Sequence, residues 1–210
     1  MSIPVAETQM IIPTPEQCLA LMDKHSMLDN IRAHSLVVAD VADVLVNGLE
    51  NSDQLNDCPL PDRTLVRSGA LLHDIAKTQC LENRCDHAHL GSEICRELGY
   101  PEIAEIVAEH VILSDFSTTR LRTGCILAKE IVYYADKRVR HDEIVSLDDR
   151  LDYILTHYGN NDPVLHELIR ANFNHCLDFE EILFTFLPFT PDRVNNLVTE
   201  GPGQTDMSTD

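Results

Sequence analysis

The chain of 210 residues is strongly acidic, with 35 acidic residues against 16 basic ones and a formal net charge of -19. Its length suits one domain with a sizeable hydrophobic core. Binding to polymeric nucleic acid or to an anionic membrane normally needs a basic face, so the charge argues against both as partners. A phosphorylated substrate would therefore have to be small and be held by a metal ion and a few local cations.

Signals for export and for membrane insertion are missing from the sequence. The N-terminal segment has no basic residues ahead of an apolar stretch, and the short apolar patch Met10–Ile12 is followed by Pro13. No apolar run is long enough to span a bilayer. The seven cysteines include no C-x-x-C pair, and Cys80 and Cys85 flank a predicted short loop. This pattern predicts reduced, structural thiols and a cytoplasmic protein.

Capping residues and apolar periodicity predict two helices near the start of the chain. Thr14-Pro15-Glu16-Gln17 combines an N-cap, a proline at the first helical position and a capping-box glutamine, which predicts a helix to about Lys24. From Asp29 to Leu49 the apolar residues keep helical spacing, and His34 falls on their stripe. We therefore expect His34 to point inward, either as a core residue or as a ligand.

The next predicted helix begins at Pro61-Asp62 and contains Leu71-Leu72-His73-Asp74-Ile75-Ala76-Lys77. Burying a carboxylate beside an imidazole costs several kcal/mol unless something binds both. A metal cation satisfies a neutral histidine nitrogen and an ionised aspartate together. The other interpretation is a polar pair that only caps or crosses the core. Lys77 is predicted to close this helix, where it would complement the helix dipole or contact a phosphate.

Two further histidines fall on apolar helix faces in the middle of the chain. Asp86 is predicted to cap a helix in which His87 points inward and His89 outward. Gly99-Tyr100-Pro101 predicts the end of that helix and the start of another, which carries His110 on its apolar side. The sequence thus places three lone histidines on the apolar faces of three different helices.

Arg120 and Arg122 lie in a predicted polar loop over residues 114–123. Gly124 is predicted to begin a helix that ends with Asp136-Lys137-Arg138. Asp136 follows an apolar run at a helix end, where a negative charge does not favour the helix dipole. This weakens the interpretation of Asp136 as a surface aspartate paired with a neighbouring cation.

The rest of the chain completes a prediction of an all-α fold. Further helices are predicted over Leu147–His157 and from Pro163 to about Phe186, and no segment shows the alternation of a β-strand. The sequence also lacks a Walker loop, a G-x-G-x-x-G motif and a G-x-S-x-G motif. This absence argues against nucleotide-cradling loops and serine nucleophile elbows.

We predict one helical domain over residues 1–187, and the histidine and aspartate residues described above lie in its central part, residues 29–142. Residues 188–210 show little apolar periodicity and end in small polar residues. They are predicted to form a tail that is partly disordered.

The polar residues occur in an order that resembles the HD superfamily. His34 is followed by L-L-H-D-I-A-K, by H-x-x-x-G at His87–Gly91, by Glu109-His110 and by Y-A-D ending at Asp136. The pattern is similar to stand-alone proteins of the H-D-I-G type and to HD hydrolases of dinucleoside polyphosphates, with Ala76 in place of the commonest glycine. The resemblance implies an HD-domain helical bundle around a buried metal site and a metal-dependent phosphohydrolase activity.

The resemblance also implies the residues of the site. One metal would be held by His34, His73, Asp74 and Asp136, and Asp74 could bridge to a second metal held by His87 and His110. Val111 stands where some family members have a second consecutive histidine, which leaves open whether one or two ions bind. Histidine and carboxylate ligands without a thiolate suit Mn, Fe, Co, Ni or Zn.

The expected reaction is hydrolysis of a small phosphorylated substrate, with a nucleotide favoured, by metal-activated attack of water on phosphorus. Asp74 and Lys77 are the predicted catalytic residues, and Lys77, Arg120 and Arg122 are predicted to contact the phosphate. The alternatives are a non-catalytic metal-binding regulatory module and a diiron oxygenase on the same scaffold.

Overall fold

The computed structural model describes residues 10–55 and 58–201, which form a bundle of α-helices with one short β-hairpin. The helices are α1 Pro15–Lys24, α2 Asp29–Glu50, α3 Arg63–Leu72, α4 Lys77–Asn83, α5 His87–Glu97, α6 Pro101–Glu109, α7 Thr118–Leu121, α8 Ala128–Lys137, α9 Leu147–Tyr158, α10 Pro163–Leu183 and α11 Val194–Glu200. The antiparallel hairpin pairs β1 (Val139–Arg140) with β2 (Glu143–Ile144). The predicted all-α fold is confirmed.

Side-chain caps set several helix starts where the sequence predicted them. The Thr14 side chain accepts from the Gln17 N–H, and the Gln17 side chain accepts from the Thr14 N–H, which completes the predicted capping box. Asp62 and Asp86 accept backbone N–H groups at the starts of α3 and α5. A cap of this kind is worth about 1 kcal/mol, so these helix starts are fixed locally.

The core lies between α2, α3, α6 and α8, which pack on one another, while α5 packs against α6. Its largest fully buried side chains include Leu45, Leu49, Leu71, Ile103, Tyr133 and Phe179. Gly91 permits the close approach of α5 to α6, because a Cβ at this position would lie 2.8 Å from Val107 Cγ1. This approach sets the distance between His87, at the start of α5, and His110, at the end of α6.

The His73-Asp74 pair does not lie inside a helix as predicted. α3 ends at Leu72, residues 73–76 form a turn, and Lys77 begins α4 instead of ending α3. The Ile75 N–H donates to Leu72 O and the Lys77 N–H donates to Asp74 O, so these hydrogen bonds span three residues as in a 3₁₀ helix. The chain is therefore tightened at the pair, which apolar periodicity alone does not predict.

Four further elements differ from the prediction. The short α7 lies within the predicted polar loop, and Cys80 lies within α4. The helix predicted to begin at Gly124 begins at Ala128, because Gly124 has a φ of 81° and the Glu130 side chain accepts from the Leu127 N–H at 2.9 Å. The β1–β2 hairpin also forms without a strand signal in the sequence.

The predicted tail contributes structure up to residue 201. A 3₁₀ turn at Pro191–Arg193 leads into α11, which packs against α2, and Val194 is buried. The rest of the predicted tail, residues 202–210, lies outside the described residues. The domain boundary at residue 187 stays a prediction.

The sequence led us to expect reduced thiols, but four of the cysteines form disulfide bonds. Cys80 pairs with Cys85 and Cys58 pairs with Cys125, with Cα atoms 4.7 Å and 5.3 Å apart. The free and buried thiols are those of Cys18, Cys95 and Cys176. Among the described residues, none of the helices combines the length and the apolar composition that a membrane span requires. A cytoplasmic location stays a prediction.

Candidate metal centre

The six side chains predicted as metal ligands meet inside the bundle. They are His34 of α2, His73 and Asp74 of the α3–α4 turn, His87 of α5, His110 after α6 and Asp136 of α8. All except His87 belong to buried residues. Their ligand atoms form two groups that share Asp74.

The first group lies between α2, α8 and the turn. His34 Nε2 is 2.9 Å from Asp136 Oδ1, and His73 Nε2 is 3.4 Å from Asp74 Oδ2 and 3.8 Å from Asp136 Oδ1. The ligand atoms of His34, His73 and Asp74 all lie within 4.8 Å of one another. This spacing is compatible with one cation held by all four side chains.

The second group lies between the turn, α5 and α6. Asp74 Oδ1 is 3.3 Å from His87 Nε2 and 3.5 Å from His110 Nε2, and these two nitrogens are 3.2 Å apart. The Asp74 carboxylate thus turns Oδ2 toward His73 and Oδ1 toward His87 and His110. This orientation suits a carboxylate that bridges two cations.

Backbone carbonyls orient three of the imidazoles. The Nδ1 atoms of His34, His73 and His110 each lie at hydrogen-bond distance from a main-chain oxygen. The accepting oxygens belong to His141 at 2.8 Å, Ala70 at 2.7 Å and Val107 at 2.7 Å. A neutral imidazole that donates from Nδ1 keeps an unprotonated Nε2, which is the form that ligates a metal. The fold therefore turns the Nε2 atoms of these three imidazoles, the nitrogens that would ligate a metal, into the site.

The donor set fits a divalent cation. His73 Nε2 and Asp74 Oδ1 are buried without a hydrogen-bond partner among the described residues, and a buried unpaired acceptor costs about 1–3 kcal/mol. Ligands at about 2.0–2.2 Å from one metal lie roughly 2.8–3.6 Å from each other, from octahedral to tetrahedral geometry. The Asp74 separations of 3.3–3.5 Å from three imidazoles agree with that range. A transition-metal ion would satisfy acceptors that otherwise face one another.

The charges in the site favour ionised carboxylates and a neutral His110. Burial by itself would raise the pKa of Asp74, but Lys77 and His73 outweigh burial and hold this pKa well below its usual range. Lys137 and His34 likewise outweigh burial and hold the pKa of Asp136 well below its usual range. Burial lowers the pKa of His110 to about 4. Ionised carboxylates and a neutral His110 are the forms that ligate a metal. Burial by itself would lower the pKa of His73, but Asp74 outweighs burial and raises this pKa, so ligation by His73 would displace a proton.

Two lysines border the carboxylates. Lys77 Nζ lies 2.7 Å from Asp74 Oδ2, and its side chain is 29% exposed, so it connects the centre to solvent. Lys137 is buried, and its Nζ donates to Asp136 Oδ2 at 2.8 Å and to His110 O at 2.9 Å. Lys137 thus ties α8 to the end of α6, a role that its position at a helix end did not reveal.

The structure does not bring Arg120 and Arg122 to the centre. Arg120 donates to Glu130 at 3.1 Å and also to Cys125 O, and Glu130 is buried. Its guanidinium therefore joins the loop before α8 to the first turn of that helix. Arg122 is exposed and lines a surface hollow with residues at the end of α10, including Glu181 and Thr185. The prediction that these two arginines contact substrate has no support from their position.

Arg150 of α9 lies beside a predicted ligand, and sequence reasoning missed it. Its Nη2 lies 3.8 Å from Asp136 Oδ1, and its side chain is 11% exposed. Its Nε is buried without a hydrogen-bond partner among the described residues. The only sequence signal was a basic residue on the otherwise acidic start of a helix, which did not relate it to residues far away in the chain.

The family model described as HD domain matches residues 31–154, which is more than half of the chain and includes all six predicted ligands. The protein therefore belongs to the HD domain family. Divalent cations are the cofactors that this donor set can hold, and the geometry does not distinguish among transition metals.

Two relatives of this chain carry the name of a tRNA methyltransferase. The tRNA (cytidine(56)-2'-O)-methyltransferase of Picrophilus torridus is 31% identical over 150 residues, which are 67% of this chain and 40% of that protein. The corresponding methyltransferase of Thermoplasma volcanium is 29% identical over 151 residues, 68% of this chain and 41% of its own length. This chain thus spans about two fifths of the methyltransferases that it matches.

Two other matches concern proteins of similar length. An uncharacterised protein of Methanocaldococcus jannaschii is 28% identical over 166 residues, which are 75% of this chain and 94% of that protein. The crystal structure of a predicted HD superfamily hydrolase from an uncultured Thermotogales bacterium covers 83% of this chain and 93% of that chain. Its TM-score is 0.45 and its identity to this chain is 16%.

Proposed function

We propose that this protein is a metal-dependent phosphohydrolase that acts on a small phosphorylated substrate, with a nucleotide as the favoured class. The observation that supports this most directly is the buried cluster centred on Asp74, whose Oδ1 and the neighbouring His73 Nε2 have no hydrogen-bond partner among the described residues. A site that concentrates unpaired acceptors around ionised carboxylates is suited to a cation. The cation is expected to be Mn, Fe, Co, Ni or Zn.

The residues divide into ligands and substrate contacts. His34, His73, Asp74 and Asp136 would hold one ion, and Asp74, His87 and His110 would hold a second. A bound divalent ion supplies Lewis-acid activation of water and neutralises charge on the phosphoryl oxygens. Asp74 belongs to both groups of ligands, so a single substitution there should affect the entire centre.

Lys77 is proposed to hold a nonbridging oxygen of the substrate phosphate. Its Nζ already lies 2.7 Å from Asp74 Oδ2, and its side chain is part-exposed, so a phosphate that enters from solvent can reach it. A protonated lysine cannot ligate a metal, and burial, which would lower the pKa of Lys77, is outweighed by Asp74, which raises it. Lys77 is therefore a cation beside Asp74 in the free protein.

Arg150 is proposed as the second phosphate contact, in place of Arg120 and Arg122. Guanidinium groups bind phosphate in a planar, two-pronged geometry. Arg150 approaches Asp136 at 3.8 Å, a distance that leaves its donors free for a closer anion. It approaches the centre from α9, whereas Lys77 approaches from the start of α4.

The methyl transfer to tRNA that names two relatives is not extended to this chain. The match covers about two fifths of those proteins, and the formal net charge of -19 disfavours a polyanionic substrate.

A metal analysis combined with a substrate screen tests the proposal. Protein purified without chelators is analysed for bound elements, and phosphate release is measured with nucleoside monophosphates, cyclic nucleotides, dinucleoside polyphosphates and sugar phosphates in the presence of Mn²⁺. We expect bound transition metal and phosphate release that EDTA abolishes. Arg150→Gln should lower the release by about 10- to 1000-fold, and Arg122→Gln should leave it unchanged.

Two results would contradict the proposed hydrolysis. Bound metal with no phosphate release from any substrate would indicate a regulatory metal-binding module. Oxygen uptake that depends on iron, again without phosphate release, would indicate a diiron oxygenase.

A further inference from the structure

Four aromatic rings cluster near the candidate metal centre, outside the buried core. They are Tyr153, His157 and Tyr158 of α9 and His141 of the β1–β2 turn, and we call them the aromatic rim. The rings of Tyr153 and His157 are stacked, with centroids 4.1 Å apart. His141 and Tyr158 meet Tyr153 edge-on at 5.2 Å and 6.3 Å. The rim is thus a continuous group of rings around Tyr153.

The rim is connected to the proposed ligands at two points. The His141 carbonyl oxygen lies 2.8 Å from His34 Nδ1, so the residue that carries one rim ring also orients a proposed metal ligand. The Arg150 guanidinium lies over the Tyr153 ring at 5.6 Å and within 3.8 Å of Asp136 Oδ1. Arg150 therefore stands between the rim and the carboxylates.

Arg150 is also one of the two cations proposed to hold the phosphate. Its guanidinium lies 5.6 Å from the centre of the Tyr153 ring, so a phosphate bound by Arg150 would bring the organic part of its ester towards the rings.

Three of the four rim residues are exposed, so their rings do not contribute to the packing of the core. Tyr158 is 56% exposed, and His141 and His157 are also exposed. Exposed aromatic rings beside a polar site are typical platforms for planar ligands, because every nucleobase has a π-face that stacks without regard to sequence. A sugar phosphate or an alkyl phosphate would use the cations but not the rings.

We infer that the aromatic rim stacks against the nucleobase of a nucleoside monophosphate whose phosphate is held by Arg150 and Lys77. This inference rests on the proposed phosphohydrolase function and adds the residues that would select the substrate class. Tyr158 and His157 offer exposed rings, and both rings contact Tyr153. Because the recognition is by stacking, the four common bases should be accepted with modest differences.

Substrate comparison measures the contribution of the rim. The ratio of KM for ribose 5-phosphate to KM for AMP is determined for the parent, Tyr158→Ala, His157→Ala and the conservative Tyr158→Phe. We expect the ratio to fall by about 5- to 100-fold in the alanine variants, the range for the loss of one stacking ring, and to be retained in Tyr158→Phe. His89→Ala is the matched control, because it removes an imidazole that is 71% exposed on α5, and it should leave the KM ratio unchanged.

Binding provides a readout that does not depend on turnover. Methylene phosphonate analogues of the four nucleoside monophosphates and of ribose 5-phosphate cannot be cleaved at the replaced ester oxygen. Their affinities for the Mn-loaded protein are measured by calorimetry, with metal content determined for every variant. We expect the nucleoside analogues to bind more tightly than the ribose analogue, and this preference to be lost in Tyr158→Ala with no loss of metal.

The outcomes separate this inference from the proposed function. Phosphate release with a KM ratio and a binding preference that neither alanine variant changes would overturn the role of the rim and leave the hydrolase intact. Ring-dependent binding without phosphate release from any ester would retain the rim and overturn the hydrolase. Equal affinity for the ribose and nucleoside analogues in the parent protein would also overturn the inference.

Discussion

Asp74→Asn should weaken metal binding in both groups of ligands, because it removes the carboxylate that they share while it keeps the shape of the side chain. Asp74 Oδ2 faces His73 at 3.4 Å, and Oδ1 faces His87 at 3.3 Å and His110 at 3.5 Å. An amide has no negative charge, and its NH₂ group would point a donor toward one of these nitrogens instead of a ligand toward a cation. We therefore expect less than about 0.1 equivalents of bound metal and at least a roughly 1000-fold loss of phosphate release.

The substitution should cost the metal-free protein only part of what a buried ion pair is worth. Breaking a fully buried pair costs about 3–5 kcal/mol. Lys77, the closest cation to Asp74 at 2.7 Å, has a side chain that is 29% exposed and can turn to water. We therefore expect a loss of about 1–3 kcal/mol, which for a chain of this size lowers the Tm by roughly 2–10 °C.

The assay combines elemental analysis of purified protein with thermal unfolding in the presence of EDTA. Asp152→Asn is the matched control, because Asp152 is exposed on α9 and the substitution removes the same charge. The control should keep its metal, its activity and, to within about 0.5 kcal/mol, its stability. Normal metal content in Asp74→Asn would refute the assignment of Asp74 as the shared ligand.

Three further predictions follow from the site and its support. Lys77→Met should lower phosphate release by about 10- to 1000-fold without loss of metal, as measured by steady-state kinetics and elemental analysis, and unchanged kinetics would return Lys77 to a structural role. His87→Ala should leave about one equivalent of metal whereas His34→Ala strips it all, which equilibrium dialysis can distinguish, and parental metal content in both variants would contradict the ligand assignment. Gly91→Ala should lower the free energy of unfolding by about 1–2 kcal/mol in chemical denaturation and weaken binding of the second metal, because the new Cβ would lie 2.8 Å from Val107 Cγ1. Unchanged unfolding and metal binding would show that α5 can move away from α6 without cost.

The positions that were predictable from sequence are those that local physics determines. The inward direction of His34 and His110 follows from the 3.6-residue period of apolar side chains, and both residues are buried. The starts of α1 and α5 follow from Thr14 and Asp86, whose side chains bind backbone N–H groups within three residues. The order of the polar residues also sufficed to indicate the family, which the match over residues 31–154 confirms.

The local sequence pattern did not predict the turn at His73-Asp74. A helix that continues through Lys77 and a helix that breaks after Leu72 have the same apolar pattern. The structure selects the break, with three-residue hydrogen bonds at Ile75 and Lys77. The consequence is functional, because Lys77 lies at the start of α4 with its ammonium group against the Asp74 carboxylate.

Only the tertiary structure decided which distant residues share the site. His34 contacts Asp136 across 102 residues of sequence and the His141 carbonyl across 107. The sequence pointed to Arg120 and not to Arg150, but in the structure Arg120 is bound by the buried Glu130, and Arg150 lies 3.8 Å from Asp136. Periodicity reports which face of a helix is buried, whereas the partner that this face meets depends on how all the helices pack together.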